Sequence, residues 1–356
     1  MAGRFMIYGA TGYTGRLLTA EAVRQGLDPV LAGRDGARLA ALARPLGLAC
    51  CAAPLDDPGR LARAVGSLGA GGAVLNAAGP FSATSRPLAS ACLAAGVHYL
   101  DLTGEIEVLA ALHRLDGGAR ARGVMLMPGA GFIVVPSDCL AAHVSRRLPG
   151  ARWLRLGISR TTLISRGSVR TMVEMIRSGP QVRRGGRLTL LPWSGNLERP
   201  LDFGHGPRPG LVVSWADVYT AYHTTGIPNV EACLEVSPWE GLAFLGSRSF
   251  AWLLRTPLWQ NALKAQAELL PEGPPEAERS RHRRCILAVV GDAAGRRAAA
   301  RLHTPESYTF TAAAALAIVA KVLAGELRGG FQTPAGVYGA DFVLGLPGVV
   351  REDVVL

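Results

Sequence analysis

Short apolar runs alternate with amphipathic stretches through the first 128 residues. The runs end near Ala10, Ala32, Ala53, Ala77, Leu102 and Pro128. Between them lie Ala- and Leu-rich segments with helical spacing, among them Ala37–Ala43, Pro87–Ala95 and Ile106–Arg122. Strands alternating with helices predict an α/β domain, a doubly wound parallel sheet with helices on both faces. Past residue 130 the texture changes. Trp153–Leu163 alternates as a strand does, and Arg170–Ile176 has helical spacing. Leu188–Leu191, Leu211–Trp215, Glu231–Val236 and Cys285–Val290 predict further strands, with proline and glycine dense from 179 to 210. Hairpins with few helices predict a mixed or antiparallel sheet, hence a second, α+β domain. Leu269–Arg284 has the charge and proline of a linker. Tyr308–Leu323 predicts a strong helix, and Gly329–Gly339 a loop. Ala243–Leu254 is apolar and aromatic; a core helix, an acyl-pocket lid and a surface-lying helix all fit it.

The first predicted strand carries the clearest chemistry. Phe5–Tyr8 runs into Gly9, Ala10, Thr11, Gly12, Tyr13, Thr14 and Gly15, and a helical pattern follows. A strand that turns sharply into a helix leaves backbone N–H groups and a helix dipole facing outward, which favours a phosphate. Gly9 permits the tight turn, Gly12 lets a pyrophosphate approach, and Gly15 lets the helix pack on the strand. This context predicts a dinucleotide site.

The second strand, Pro29–Ala32, ends in Gly33, Arg34 and Asp35, about 20 residues after the glycines, where the ribose is read. A guanidinium grips a 2′-phosphate through two hydrogen bonds. Asp35 reads as the cap of the next helix. The expected cofactor is therefore NADP. Ligands bind off the carboxyl ends of such strands. Loops there are rich in small residues that admit a cofactor. They hold Asn76, Ala77, Gly79, Pro80 and Phe81 after the fourth strand, Thr103 and Gly104 after the fifth, and Gly131 and Phe132 after the sixth. Asp56 fits either an adenine contact or a helix start at Asp56-Asp57-Pro58.

Composition narrows the classes. The 356 residues are 49% hydrophobic and 18% charged, enough for two globular domains. The net charge is +11, yet the only lysines are Lys264 and Lys321. The arginines are scattered, and the densest run, Arg279–Arg284, has no interleaved aromatics, which argues against nucleic-acid binding. Six cysteines without a CxxC pair read as buried small hydrophobes in a reducing cytoplasm, and the dispersed histidines give no metal-ligand spacing. The glycine motif stands where a signal peptide would, and the longest apolar run, Ala312–Ala320, is too short for a bilayer.

Several motifs together resemble the saccharopine dehydrogenase-like oxidoreductases: Gly9–Gly15, Gly33-Arg34, Asn76–Phe81, His98–Glu105 and Val135–Asp138. Val212–Asn229, Tyr308–Thr311 and Thr333–Ala335 resemble the branch that includes trans-acting enoyl reductases. The resemblance implies a Rossmann domain over 1–130 completed by 306–356, with an inserted substrate-binding and oligomerisation domain over 131–305. Many members read Gly-Phe-Asp-Ser where this chain reads Gly131-Phe132-Ile133-Val134, so a polar pair beside the nicotinamide is missing. The implied activity is NADPH-dependent reduction of a conjugated C=C bond on a carrier- or lipid-linked acyl chain. Tyr222, Tyr219 and His223 are the proton-donor candidates, and Asp217 orients a base or caps a helix. A saccharopine-type imine reduction, with Arg160, Arg166 and Arg170 as carboxylate forks, and a non-catalytic, membrane-associated scaffold are the alternatives. A cytoplasmic homodimer without a transmembrane segment is expected, with peripheral membrane contact allowed.

Overall fold

The computed structural model describes residues 4–160, 165–167, 179–192, 198–237 and 271–355, with Thr256, Trp259, Ala262, Gln266 and Leu269. The expected helix at Arg170–Ile176, the end of the strand expected to reach Leu163, Arg170 itself and the apolar stretch Ala243–Leu254 lie outside the described residues.

The chain divides into two compact units. The first joins Met1–Val135 to Tyr308–Val337. Its strands are β1 (Phe5–Tyr8), β2 (Val30–Gly33), β3 (Cys50–Ala52), β4 (Ala73–Asn76), β5 (His98–Asp101) and β6 (Met125–Met127). Between them run α1 (Tyr13–Arg24), α2 (Gly36–Ala43), α3 (Pro58–Gly66), α4 (Phe81–Ala95), α5 (Ile106–His113) and α6 (Asp116–Ala121). β1, β2, β4, β5 and β6 are buried throughout, as apolar strands covered on both faces must be. β15 (Gly330–Phe331) adds to β6, and the parallel order is β15-β6-β5-β4-β1-β2-β3. The order reverses between β1 and β4, where a doubly wound sheet opens its ligand crevice. The stretch expected as one pattern over Ile106–Arg122 is two helices, α5 and α6. Cys50 is exposed rather than buried, because β3 is the sheet's edge.

The second unit joins Pro136–Ser307 to Tyr338–Leu356. It begins within α7 (Val135–Arg147) and contains β7 (Trp153–Ile158), β8 (Gln181–Arg184), β9 (Arg187–Leu190), β10 (Glu198–Asp202), β11 (Pro207–Val213), α8 (Asp217–Thr225) and β12 (Asn229–Glu235). α9 (Glu276–Arg279), β13 (Arg283–Gly291) and β14 (Arg297–Pro305) follow, and β16 (Val350–Val354) completes the sheet. The order is β10-β11-β12-β7-β13-β14-β16, with β8 on β12 and β9 on β8. β12 and β7 are parallel and the other pairs antiparallel, so the sheet is mixed. One face buries Val182, Leu201, Phe203, Val212, Cys233 and Leu287.

α10 (Ser307–Leu323) returns the chain to the first unit and buries Phe310, Leu316, Ile318 and Val319 there. The segment expected as a loop over Gly329–Gly339 instead holds β15 and α11 (Pro334–Tyr338). The tail also departs from the expected boundary. Residues 338–356 group with the second unit, because β16 pairs with β14 over Ala299–His303. Among the described residues no helix is long and apolar enough to cross a membrane.

Candidate functional site

The glycine turn of the first unit is built for close approach. Gly9 has φ +83°, and a Cβ there would stand 2.8 Å from Ala78. A Cβ on Gly15 would run into the Gly9 carbonyl oxygen, so only glycine lets α1 sit this near β1. Gly9 N and Ala10 N both donate to Ala32 O, at 2.8 and 3.3 Å, which ties the turn to β2. Gly12 is exposed at the N-cap of α1. No side chain caps that helix and no acidic residue stands in its first turn. The uncapped dipole is therefore open to an anion. Tyr13 packs edge-on against Tyr308 of α10 at 5.1 Å.

At the end of β2 the two charged residues divide. Asp35 Oδ1 accepts from Arg38 N at 3.0 Å and caps α2. Arg34 is exposed and, among the described residues, has no hydrogen bond or ion pair. Tyr8 of the neighbouring strand β1 donates its hydroxyl to Ala53 O at 2.9 Å. Burial pushes that phenol up to about 12, against the pull of Arg34. Asp56 is exposed, and the neighbouring Asp57 caps α3 through Arg60 N at 2.9 Å.

The loops after β4 and β5 are fastened by one buried polar network. Asn76 Nδ2 donates to Thr84 Oγ1 and to the Tyr99 hydroxyl, each at 3.1 Å, while Asn76 Oδ1 accepts from Ala78 N at 2.9 Å. Tyr99 donates onward to Asp101 Oδ2 at 2.9 Å, joined by Ser85 at 3.2 Å. Asp101 Oδ1 accepts from Thr103 N and Gly129 N. Burial pushes this carboxyl up to about 6, and those hydrogen bonds oppose the rise. Thr103 Oγ1 accepts from Glu105 N, and Glu105 in turn caps α4 by accepting from Phe81 N at 3.1 Å and Ser82 N at 2.9 Å. The Asn76 amide and the Thr103 hydroxyl are thus engaged inside the unit, while Ala77 and Pro80 are half-buried and Gly79 is exposed. Gly104 is buried against Ile133. Phe132 N donates to Thr311 Oγ1 at 3.0 Å, and the Phe132 ring meets Phe310 edge-on at 5.8 Å. α10 therefore holds the loop containing Gly131 and Phe132.

The proton-donor candidates lie in the second unit. Asp217 opens α8 and is fully buried. Ser137 of α7 donates a hydrogen bond to Asp217 Oδ1. Asp217 Oδ2 has no hydrogen-bond partner among the described residues. Burial pushes this carboxyl up to about 8; the Ser137 hydrogen bond opposes the shift and the charge of Asp138 adds to it. Asp138, also buried, accepts from Thr224 Oγ1 at 2.6 Å. Tyr219 is buried, Tyr222 half-buried and His223 exposed. The guanidinium of Arg183 lies 4.2 Å from the Tyr222 ring centre and 5.5 Å from that of Tyr219. It donates to Val218 O and Gly186 O at 2.9 and 2.7 Å. Both tyrosines are thus packed under a buried cation. Arg160 N donates to Glu235 and Arg166 N to Glu272 O. The sequence motifs contained Ser137 and Asp138, but only the fold brings them to Asp217.

The parallel sheet order and the glycine turn of the first unit are those of a dinucleotide-binding domain. Residues 5–127 match the family model described as the saccharopine dehydrogenase NADP binding domain. The whole chain superposes on an apo saccharopine dehydrogenase (L-Glu forming) from Saccharomyces cerevisiae with a TM-score of 0.65 at 13% identity, covering 99% of this chain and 100% of that one. By sequence it is similar to trans-acting enoyl reductases. It is 28% identical over 218 residues to one from Mycobacterium ulcerans (strain Agy99), covering 57% of this chain and 52% of the relative. It is 28% identical over 226 residues to one from Mycobacterium tuberculosis (strain ATCC 25618 / H37Rv), covering 58% and 52%. The chain spans about half the length of the curated relatives it matches.

Proposed function

We propose that the chain is an NADPH-dependent oxidoreductase that reduces a conjugated C=C bond of an acyl, polyketide-type or lipid substrate. The observation that carries the cofactor half is the end of β2, where Asp35 serves as a helix cap and the exposed Arg34 is left for a 2′-phosphate. Similarity to trans-acting enoyl reductases supports the substrate half. So do Ile133 and Val134, since a carboxylate buried there without a partner would be costly.

NADPH, when bound, supplies the hydride. The residues of the chain do the remaining work. Backbone from Gly9 to Thr14 and the start of α1 receive the pyrophosphate, and Arg34 takes the 2′-phosphate. Gly33 and Asp56 flank the adenosine. Ala77, Gly79, Pro80, Phe81, Gly104, Gly131 and Phe132 form the wall toward the nicotinamide. Asn76 and Thr103 act one step back by fixing those loops. Burial favours the protonated form of Asp217, which makes it the candidate acid, with Ser137 bonded to its Oδ1. Tyr219, Tyr222 and His223 follow on α8, where both tyrosine rings pack against Arg183 and His223.

Two measurements test the reading. Loss of a charge-assisted phosphate contact costs about 1.5–3 kcal/mol. Arg34→Ala should therefore weaken NADPH at least tenfold in nicotinamide-fluorescence titrations and leave NADH unchanged; equal losses remove Arg34 from this role. With an α,β-unsaturated acyl thioester as probe, Asp217→Asn should slow single-turnover reduction by about 10²–10⁴ and keep NADPH affinity. Tyr222→Phe should keep the rate. The opposite pattern would pass the proton to Tyr222.

A further inference from the structure

The arginines look scattered along the sequence, but the second unit gathers four of them around one cavity. Arg155 of β7, Arg184 of β8, Arg199 of β10 and Arg297 of β14 line a space of about 320 Å³ with Trp153 and Glu231. Three of the guanidiniums converge on the Glu231 carboxylate: Arg155 at 2.8 Å, Arg199 at 2.9 Å and Arg184 at 3.0 Å. Burial alone would raise this acid, but the hydrogen bonds from Arg199 and Arg184 and the charge of Arg155 hold it down to about 2. Glu231 is therefore ionised at physiological pH, and it is one carboxylate among four arginines in the cavity lining.

The fourth arginine is held differently. Arg297 is exposed and, among the described residues, makes no ion pair; its guanidinium lies 5.7 Å from the centre of the Trp153 ring, with Arg155 at 5.9 Å from the same ring. The indole itself has a prepared seat. Trp153 lies opposite Gly291 across the β7–β13 pair, and a Cβ on Gly291 would enter the ring. The cavity thus has a fixed aromatic wall, a pinned carboxylate that orders three guanidiniums, and an excess of arginine over carboxylate among its lining residues. Gathering like charges around one space is unfavourable unless an anion joins them. Guanidiniums present paired N–H donors that match a tetrahedral oxyanion.

We propose that this cavity is a binding site for a phosphate group, either inorganic phosphate or the phosphate of an organic monoester. The inference is independent of the reductase reading. The volume is at the lower end for small-molecule pockets and leaves room for an organic portion beside the phosphate.

Calorimetric titration of the full chain with inorganic phosphate tests it, in parallel on the parent, Arg297→Gln, Arg184→Gln/Arg297→Gln and Arg34→Ala. One saturable site per chain is expected in the parent and in Arg34→Ala. The double variant should bind at least tenfold more weakly while keeping a cooperative melting transition. Arg297→Gln alone should bind more weakly too, and it leaves all three contacts to Glu231 in place. Phenyl phosphate binding more tightly than inorganic phosphate points to a monoester as the source; the reverse points to the free ion. The proposal falls if acetate at equal ionic strength binds as tightly, if the double variant binds phosphate as the parent does, or if only Arg34→Ala loses it. That last outcome would assign the phosphate to the dinucleotide turn.

Discussion

Asp217 is a carboxyl group whose charge depends on the fold. Its pKa in the native chain, about 8, lies above the unfolded value near 4, so the folded protein holds a proton that the unfolded chain releases. The stability this lends is whole below about pH 4 and is lost as pH rises toward about 8. Asparagine keeps the oxygen that accepts from Ser137 and cannot ionise. The melting temperature of Asp217→Asn should therefore exceed that of the parent by a margin that widens from pH 5 to pH 8. Asp101 contributes a slope of the same sign but is common to both proteins. A flat difference across that range would mean that Asp217 stays ionised in the native chain. Individual residues were legible from sequence where the contact is local. Asp35 reads as a cap because its partner is Arg38, three residues on. Asn76 did not read as scaffold, because its partner Tyr99 is 23 residues away. The acidity of Asp217 is set first by burial and then by Ser137 and Asp138, some 80 residues back, and no local spacing signals it.

At the scale of elements, Glu105 joins the loop after β5 to the start of α4. Replacing a helix-capping side chain with alanine costs about 0.5–2 kcal/mol. Glu105→Ala should lose that much in urea unfolding, and Glu105→Gln less, because one acceptor oxygen survives. α10 offers a larger effect. Phe310 is 1% exposed and meets Phe132, so Phe310→Ala should cost about 3–5 kcal/mol. A loss under 1 kcal/mol would show that the loop after β6 is held by Thr311 alone. The buried parallel strands were readable because they are apolar without interruption. β15 was not, since two residues carry no period. β14 carries no strand signal for another reason. Its Arg-Ala-Ala-Ala run has no strand preference, and nine residues of pairing with β13 impose the extended form.

Over the whole molecule, the chain enters the second unit at Pro136, leaves it after Ser307, and enters it again at Tyr338. The last strand, β16, covers the edge of β14 and brings Glu352 to Arg301 and Asp353 to His143 and Arg147. Deleting Val349–Leu356 should expose that edge, lower the first calorimetric transition and cause concentration-dependent association in light scattering. NADPH affinity should be unchanged, because every residue assigned to the cofactor belongs to the first unit. Unaltered melting and association would mean that β16 is only an ornament of the sheet.

The hydrogen bond from Phe132 to Thr311 spans 179 residues of sequence, and β15 joins β6 across a similar gap. A ribosome that has delivered Val135 has made six of the first unit's strands, yet neither the helix that pins the loop after β6 nor the outermost strand exists. Nearly the whole second unit must leave the exit tunnel before either arrives. Apart from its own closing strand, that later unit is contiguous and can settle first. Completion of the nucleotide half is thereby placed after the synthesis of most of the segment inserted into it, and the last strand of that segment's sheet arrives later still.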